Sequence, residues 1–302
     1  MAESSLRNIV KEKKFLAMLL VYLVFLGALI GAHLTATVSG LKISGFDSIA
    51  APGEKITLAA KAELDVPGRA NPDRKGISLR FRISLGSGLP VQELHGITDG
   101  EGIARVEIKA PEKPGTYFFE IIPQGSPSPV KTSRIPPKLV VLTQDSPILV
   151  CDIDDTITAG GGWKMLISSG NLDPLPGAPE ELRHLASQYR LVYLTARDEA
   201  LLNDTRDWLA KLDFPAAPVI CRDWQLGKIS KAGEFKAKVL KSLKQRFPNI
   251  LWGIGNSSGD CHAYQANGIP HLTLESSRCA SGAGVSCQAV RDWTEIGALL
   301  RK

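Results

Sequence analysis

The 302-residue chain has little excess charge of either sign: 36 Lys and Arg stand against 31 Asp and Glu, a formal +5. Only 6% of it is aromatic, and its basic residues are scattered without interleaved aromatics. This argues against nucleic-acid binding, which draws on clustered cations and stacking side chains. At 44% hydrophobic and 22% charged, the composition excludes a disordered or collagen-like chain. The five cysteines (Cys151, Cys221, Cys261, Cys279, Cys287) are an odd number and cannot all pair within one chain. Cys151 lies in an apolar run and reads as a small buried hydrophobe. Cys279 and Cys287 flank a Gly/Ser-rich loop, Ala280 to Ser286, and are candidates for a disulfide ring.

Charge is missing altogether from Phe15 to Leu41. A membrane-crossing helix needs about 20 mostly apolar residues, and the stretch 15–36 meets that. Arg7, Lys11, Lys13 and Lys14 precede it, whereas only Lys42 follows before Lys55. The positive-inside rule then predicts a cytoplasmic basic tail, 1–14, and export of the rest. A cleaved signal peptide has a shorter apolar core, about 7–15 residues, and ends at a small-residue site; no such site closes this run. The expectation is a single-pass membrane protein with an exported catalytic region. Secretion after signal cleavage is the alternative.

The length suits two domains at roughly 100–200 residues each. From 40 to 143 the pattern has period two: Leu79, Phe81 and Ile83 alternate with Arg80, Arg82 and Ser84, and Ala104, Val106 and Ile108 with Arg105, Glu107 and Lys109. Tyr117, Phe119 and Ile121 continue it, and turns such as Ala51-Pro52-Gly53 and Lys113-Pro114-Gly115 punctuate it. Such alternation predicts strands with one buried face, arranged as an antiparallel sandwich. No cluster of catalytic groups occurs there, so a spacer or adhesion module is expected, the spacer favoured. Pro123, Pro127, Pro129, Pro136, Pro137 and Pro147 mark a stiff join. From 145 to 302 strands alternate with helices: apolar runs at Ile148–Asp152 and Leu191–Thr195, helical spacing at Pro179–Gln188, Leu201–Leu212 and Glu234–Phe247. That order predicts a parallel sheet covered on both faces, with a site at the strands' carboxyl ends.

Chemistry concentrates in the run Ile148-Leu149-Val150-Cys151-Asp152-Ile153-Asp154-Asp155-Thr156. Carboxylates massed at the end of a buried strand repel one another unless a cation or protons compensate them. Three further segments follow in order: Leu194-Thr195-Ala196-Arg197 at a strand end, Lys236 in a helix, and Gly255-Asn256-Ser257-Ser258-Gly259-Asp260 after another strand. Asp152 is placed as a nucleophile and Asp154 as an acid and base two residues on.

Together these resemble the four signatures of the haloacid-dehalogenase phosphatase superfamily, over Pro147 to about Leu274. Within it the chain is similar to lipin-like, magnesium-dependent phosphatidate phosphatases, through Tyr193 to Arg197, Glu234-Phe235-Lys236 and Gly255-Asn256 with Asp260. Lipins usually carry Gly where this chain has Asp155; Asp155 and Arg222-Asp223-Trp224 resemble the actin-patch phosphatidate phosphatases instead. The segment Thr98 to Ile122 resembles the later strands of bacterial immunoglobulin-like domains. The resemblance implies a Rossmann-like parallel sheet. With the motif spacing, the alternation and the apolar run, the expected fold is α/β with a minimal cap, preceded by an all-β immunoglobulin-like sandwich and one transmembrane helix, an anchor and sandwich that lipins lack. The resemblance also implies Mg²⁺ held by Asp152, Asp154 and Asp260, phosphate held by Thr195 and Lys236, and support from Asn256 and Thr156.

Only 38 residues, Ile157 to Leu194, separate the first two motifs. They leave a short flap, Thr158–Ala178, bearing Trp163, Met165, Leu166 and Ile167, and no cap domain. An open site suits a bulky or membrane-held phosphomonoester. The expected reaction is hydrolysis of phosphatidate to diacylglycerol and phosphate through an aspartyl phosphate. The alternatives are a broad exported acid phosphatase on soluble phosphomonoesters and a non-catalytic phosphatidate-sensing module. Relatives of the last kind tend to lose an acid of the first motif, whereas Asp152 and Asp154 are both present.

Overall fold

A computed structural model describes residues 40–66, 71–86, 90–125, 129–159, 172–222, 232–274 and 284–301. The expected span 15–36, the flap residues Trp163, Met165, Leu166 and Ile167, and Asp223, Trp224 and Cys279 lie outside them.

The alternating first region forms nine strands: β1 (Gly40–Gly45), β2 (Ser48–Ala50), β3 (Lys55–Asp65), β4 (Ser78–Ile83), β5 (Gln92–Ile97), β6 (Ile103–Lys109), β7 (Gly115–Pro123), β8 (Val130–Lys131) and β9 (Lys138–Val141). They make two sheets, ordered β6-β3-β1-β8 and β2-β9-β7-β4-β5. Period two decides the facing: Ala104, Val106 and Ile108 of β6 are buried while Arg105, Glu107 and Lys109 are exposed. Leu79, Phe81 and Ile83 of β4 join Leu58, Ala60 and Phe119 in one shared core. The sheets are not antiparallel throughout. The proline-rich join brings β8 back parallel to β1 and β9 parallel to β2, pairings that side-chain alternation does not encode.

The second region has β10 (Ile148–Cys151), α1 (Ala178–Ala186), β11 (Arg190–Asp198), α2 (Leu202–Lys211), β12 (Val219–Arg222), α3 (Ala232–Arg246), β13 (Ile250–Gly255), α4 (Ser258–Ala266), β14 (His271–Thr273), β15 (Cys287–Ala289) and α5 (Trp293–Leu300). Its six strands are parallel in the order β12-β11-β10-β13-β14-β15. All four β10 side chains are buried, two on each face. Leu149 and Cys151 pack with Leu182, Trp208 and Trp293 from α1, α2 and α5. Ile148 and Val150 pack with Leu240, Leu243 and Tyr264 from α3 and α4. Burial of each such side chain contributes about 1.5–3 kcal/mol. Because β10 lies between β11 and β13, the chain's direction of winding reverses there, which opens a crevice beyond its carboxyl end.

The first region does not stand off as a spacer. Asp47, after β1, forms a fully buried ion pair with Arg206 of α2, 3.0 Å from Nη2. The same carboxylate accepts from the backbone N–H groups of Lys138 and Val219, each at 2.9 Å. Lys61 of β3 reaches Glu199 at 2.5 Å, and Asn203 Nδ2 donates to the Ile43 carbonyl at 2.8 Å. Ile49, Val140 and Leu142 pack in the same cluster as Leu240, Leu243 and Phe247.

Single-pass anchoring with an exported catalytic region is corrected by the structure. Crossing a bilayer takes about 20 apolar residues, and no described helix is long and apolar enough. The 15-residue α3, the longest of them, carries Lys238, Lys241, Lys244 and Arg246. Cys287 is disulfide-bonded, while Cys151, Cys221 and Cys261 are free.

Candidate active site

Asp152 follows β10 directly and extends its ladder, its N–H donating to the Ile254 carbonyl of β13 at 2.9 Å. The chain then folds into a tight turn in which the Ile153 carbonyl accepts from the N–H groups of Thr156, Ile157 and Thr158. Asp155 sits in this turn at φ +55°. That left-handed conformation favours Gly and is tolerated by Asp. Trp293 of α5, itself buried, donates its indole N–H to the Thr156 carbonyl at 2.8 Å and fixes the turn from below.

Lys236, one turn into α3, and Asp260, in the first turn of α4, meet Asp152 over the ends of β10 and β13. The Lys236 ammonium lies 2.6 Å from Asp152 Oδ1 and 2.5 Å from Asp260 Oδ1. Two glycines permit the approach: a Cβ on Gly233 would meet the Gly259 backbone at 2.9 Å. The α4 amino terminus holds Asp260 in a capping box with Ser257. Asp260 Oδ2 accepts from Ser257 Oγ at 2.6 Å and from the Ser257 and Asn256 N–H groups at 3.0 and 3.2 Å. Thr156 Oγ1 lies 3.2 Å from Asp152 Oδ2 and 3.3 Å from Asn256 Oδ1.

Asp154 is bound separately. Arg197 of β11 grips it through Nε and Nη2, both about 3 Å from Oδ1 (3.0 and 2.8 Å), and Thr195 Oγ1 donates to its Oδ2 at 3.2 Å. Arg197 is held in turn by Thr205 of α2 at 3.1 Å. Every residue that the sequence nominated thus lies in one of two adjoining groups. Asp152, Lys236, Asp260, Asn256 and Thr156 form the first, and Asp154 with Thr195 the second. The sequence reading assigned no role to Arg197, Ser257 or Trp293. For Arg197 the signal was present, since a cation two residues past Thr195 on a strand shares its face. Trp293 gave none.

The electrostatics follow from burial. Asp152, Lys236 and Asp260 are all at most 6% exposed, and two carboxylates face one ammonium. Burial first, then the neighbouring Asp260 charge, push the Asp152 carboxyl up against the pull of Lys236. Burial also works against the Asp260 anion, but Lys236 and the Ser257 hydrogen bonds hold it below the usual carboxylate range. Burial disfavours the Lys236 ammonium, yet Asp152 and Asp260 together hold it well above the usual lysine range. The surplus of buried negative charge, carried by hard oxygen donors, fits a divalent cation such as Mg²⁺.

A family model described as "PITM 1-3, LNS2 domain" matches residues 149–274, which span β10 through β14. No curated protein matches. Among solved structures, the chain is similar to a haloacid dehalogenase-like hydrolase from Streptococcus pneumoniae, at 13% identity and TM-score 0.37, covering 52% of this chain and 99% of that one. It is similar to a chain of a Pnkp1/Rnl/Hen1 complex at 14% identity and TM-score 0.37, covering 43% of this chain and 46% of that one. A haloacid dehalogenase-like hydrolase from Xanthomonas campestris matches at 19% identity and TM-score 0.32, over 46% of this chain and 59% of that one. The chain spans about half the length of the Pnkp1/Rnl/Hen1 chain.

Proposed function

We propose that the chain is a Mg²⁺-dependent phosphatase of the haloacid-dehalogenase type, with Asp152 as nucleophile and phosphatidate as its substrate class. One observation carries the reading: a buried nucleophile-type carboxylate shares one lysine with a second carboxylate, at the carboxyl end of the strand where the parallel sheet reverses. The LNS2 match supports the lipid substrate, because that domain is related to phosphatidate phosphatases. Mg²⁺ would be held by Asp152, Asp154 and Asp260, and when bound it supplies the positive charge that lets an anionic nucleophile approach a phosphate.

The chain's own groups then divide the work. Asp152 attacks phosphorus and the alkoxide leaves, giving an aspartyl phosphate that water hydrolyses. Lys236 and Thr195 hold the phosphoryl oxygens as their charge redistributes. Asp154 gives a proton to the leaving alkoxide and takes one from the water. Its hold by Arg197 makes release of that ion pair part of the acid step.

The same ion pair favours a second reading, a module that binds phosphatidate without cleaving it, because the buried Arg197 guanidinium occupies the carboxylate that the acid step needs. Phosphate release by the full chain from phosphatidate micelles and from para-nitrophenyl phosphate, with and without Mg²⁺, separates the readings. The proposal expects Mg²⁺-dependent release that is greater from phosphatidate, and its loss in folded Asp152→Asn. Binding without release supports the sensing module, and equal or better turnover of the soluble ester removes the lipid assignment.

A further inference from the structure

At the outer edge of the parallel sheet, three side chains of ligand type converge that the phosphatase reading does not use. Cys261 lies in the first turn of α4, His271 opens β14 and Cys287 opens β15. His271 and Cys287 are direct partners in the parallel β14–β15 pairing. The two sulfurs and a ring nitrogen all lie within 4.8 Å of one another, with Cys261 and His271 buried and Cys287 half-buried. Tetrahedral zinc, with Zn–S about 2.3 Å and Zn–N about 2.0–2.1 Å, puts neighbouring ligand atoms roughly 3.5–3.8 Å apart. Small rotations about the side-chain torsions cover the difference.

The surroundings favour a ligand role for the imidazole. His271 Nδ1 lies 3.1 Å from the Ile269 carbonyl. With the proton on Nδ1 and donated there, Nε2 carries the lone pair, the second-sphere arrangement that orients metal-binding histidines. Burial lowers the His271 pKa and keeps the ring in the neutral form that ligates. One feature withholds the site: Cys287 is disulfide-bonded, so its sulfur is no thiolate.

We propose that the α4–β14–β15 edge is a redox-gated site for a soft divalent metal of the zinc class, formed by Cys261, His271 and Cys287 once the disulfide is reduced. A dithiol reductant gives two electrons to the disulfide and becomes a disulfide itself, returning Cys287 and its former partner as thiols. Metal binding then displaces one proton each from Cys261 and Cys287. In the oxidised chain only Cys261 and His271 remain, two ligands where stable zinc sites use three or four. Mg²⁺ does not compete, since it takes oxygen ligands. Cys261 directly follows Asp260, so loading fastens the first turn of α4 to the sheet edge. The inference does not depend on the phosphatase reading.

The test is Co²⁺ titration of the full chain in saturating Mg²⁺, before and after reduction and removal of the reductant. The reduced chain is expected to take one equivalent with a thiolate-to-cobalt charge-transfer band that Zn²⁺ abolishes, and the oxidised chain to show none. Cys261→Ser and His271→Ala should each weaken binding by about tenfold or more, and Cys221→Ser should leave it unchanged. Alkylation mapping keeps the test independent of variant folding: Zn²⁺ should shield Cys261 and Cys287 of the reduced wild-type chain. A band in the oxidised chain, no band after reduction, or shielding of other cysteines overturns the proposal.

Discussion

Replacing Asp47 by Ala removes a carboxylate that accepts from Arg206 Nε and Nη2 and from two backbone N–H groups, and leaves Arg206, among the described residues, only the Gly45 carbonyl beside its Nη2. Arg206 Nη2 loses its 3.0 Å partner, and the N–H groups of Lys138 and Val219 each lose a 2.9 Å acceptor. Breaking a buried ion pair from one side costs about 3–5 kcal/mol, because the remaining charge is uncompensated. An unsatisfied buried N–H costs about 1–3 kcal/mol. These overlap, since relaxation at one donor relieves the others, so the expected loss is about 4 kcal/mol or more. Against native stabilities of about 5–15 kcal/mol, that is a large fraction. Urea unfolding followed by two probes measures it. All five tryptophans lie at or beyond Trp163, so their emission reports the parallel-sheet region, whereas circular dichroism reports both regions. Wild-type transitions should coincide; in Asp47→Ala both should move to lower urea and separate. Adding Arg206→Met should recover most of the loss, because an apolar side chain leaves no buried charge behind. A loss below about 1 kcal/mol with coincident transitions would show that the Asp47 carboxylate does not hold the two regions together.

Three other outcomes are expected. Gly233→Ala drives a Cβ into the Gly259 backbone at 2.9 Å. It should part α3 from α4 and so Lys236 from Asp260, lowering turnover at least tenfold and stability by about 1–3 kcal/mol, as checked by kinetics and thermal melts. Burial pushes the Glu63 carboxyl from 4.5 up to about 7 against the pull of Lys61. The folded chain therefore binds this proton more tightly than the unfolded one. Its stabilising contribution is full below pH 4.5 and declines through pH 7; Glu63→Gln should flatten that slope in melts across this range. Asp155→Gly should change stability by no more than about 0.5 kcal/mol, whereas Asp155→Val should cost about 1–3 kcal/mol in urea unfolding, because φ is +55°.

Period and composition carried much of the fold. The β6 alternation set which residues of that strand are buried, and the four apolar residues of β10 marked a strand covered on both faces. The helix expected over Glu234–Phe247 is α3, Ala232–Arg246, and that over Leu201–Leu212 is α2, Leu202–Lys211. What escaped was choice of partner. Asp47 reads as an ordinary polar turn residue, and its counterion lies 159 residues away. The parallel seating of β8 and β9 depends on where the prolines turn the chain. In the site, the ordered motifs located Asp152, Asp154, Lys236 and Asp260, because each sits at a strand or helix end that local pattern marks. The split into two groups was not legible, since it turns on which cation each carboxylate takes. Arg197 goes to Asp154 and Lys236 to the other two.

The indole of Trp293 has a bearing on when the chain becomes competent. It holds the carbonyl of Thr156, in the turn that carries Asp152 and Asp154, across 137 residues of sequence. Synthesis runs from the amino terminus at about 5–20 residues per second, so the acidic turn emerges well before the helix that pins it. Throughout that interval β10 lacks the α5 part of its cover, and β13, β14 and β15 are added in turn before α5 appears. The nascent chain can complete its two β-sheets early, but its carboxylates reach their final places only after Trp293 has left the ribosome. Final placement of the acidic turn thus waits on α5, and a stall before α5 would yield a chain with its strands largely made and that turn unpinned.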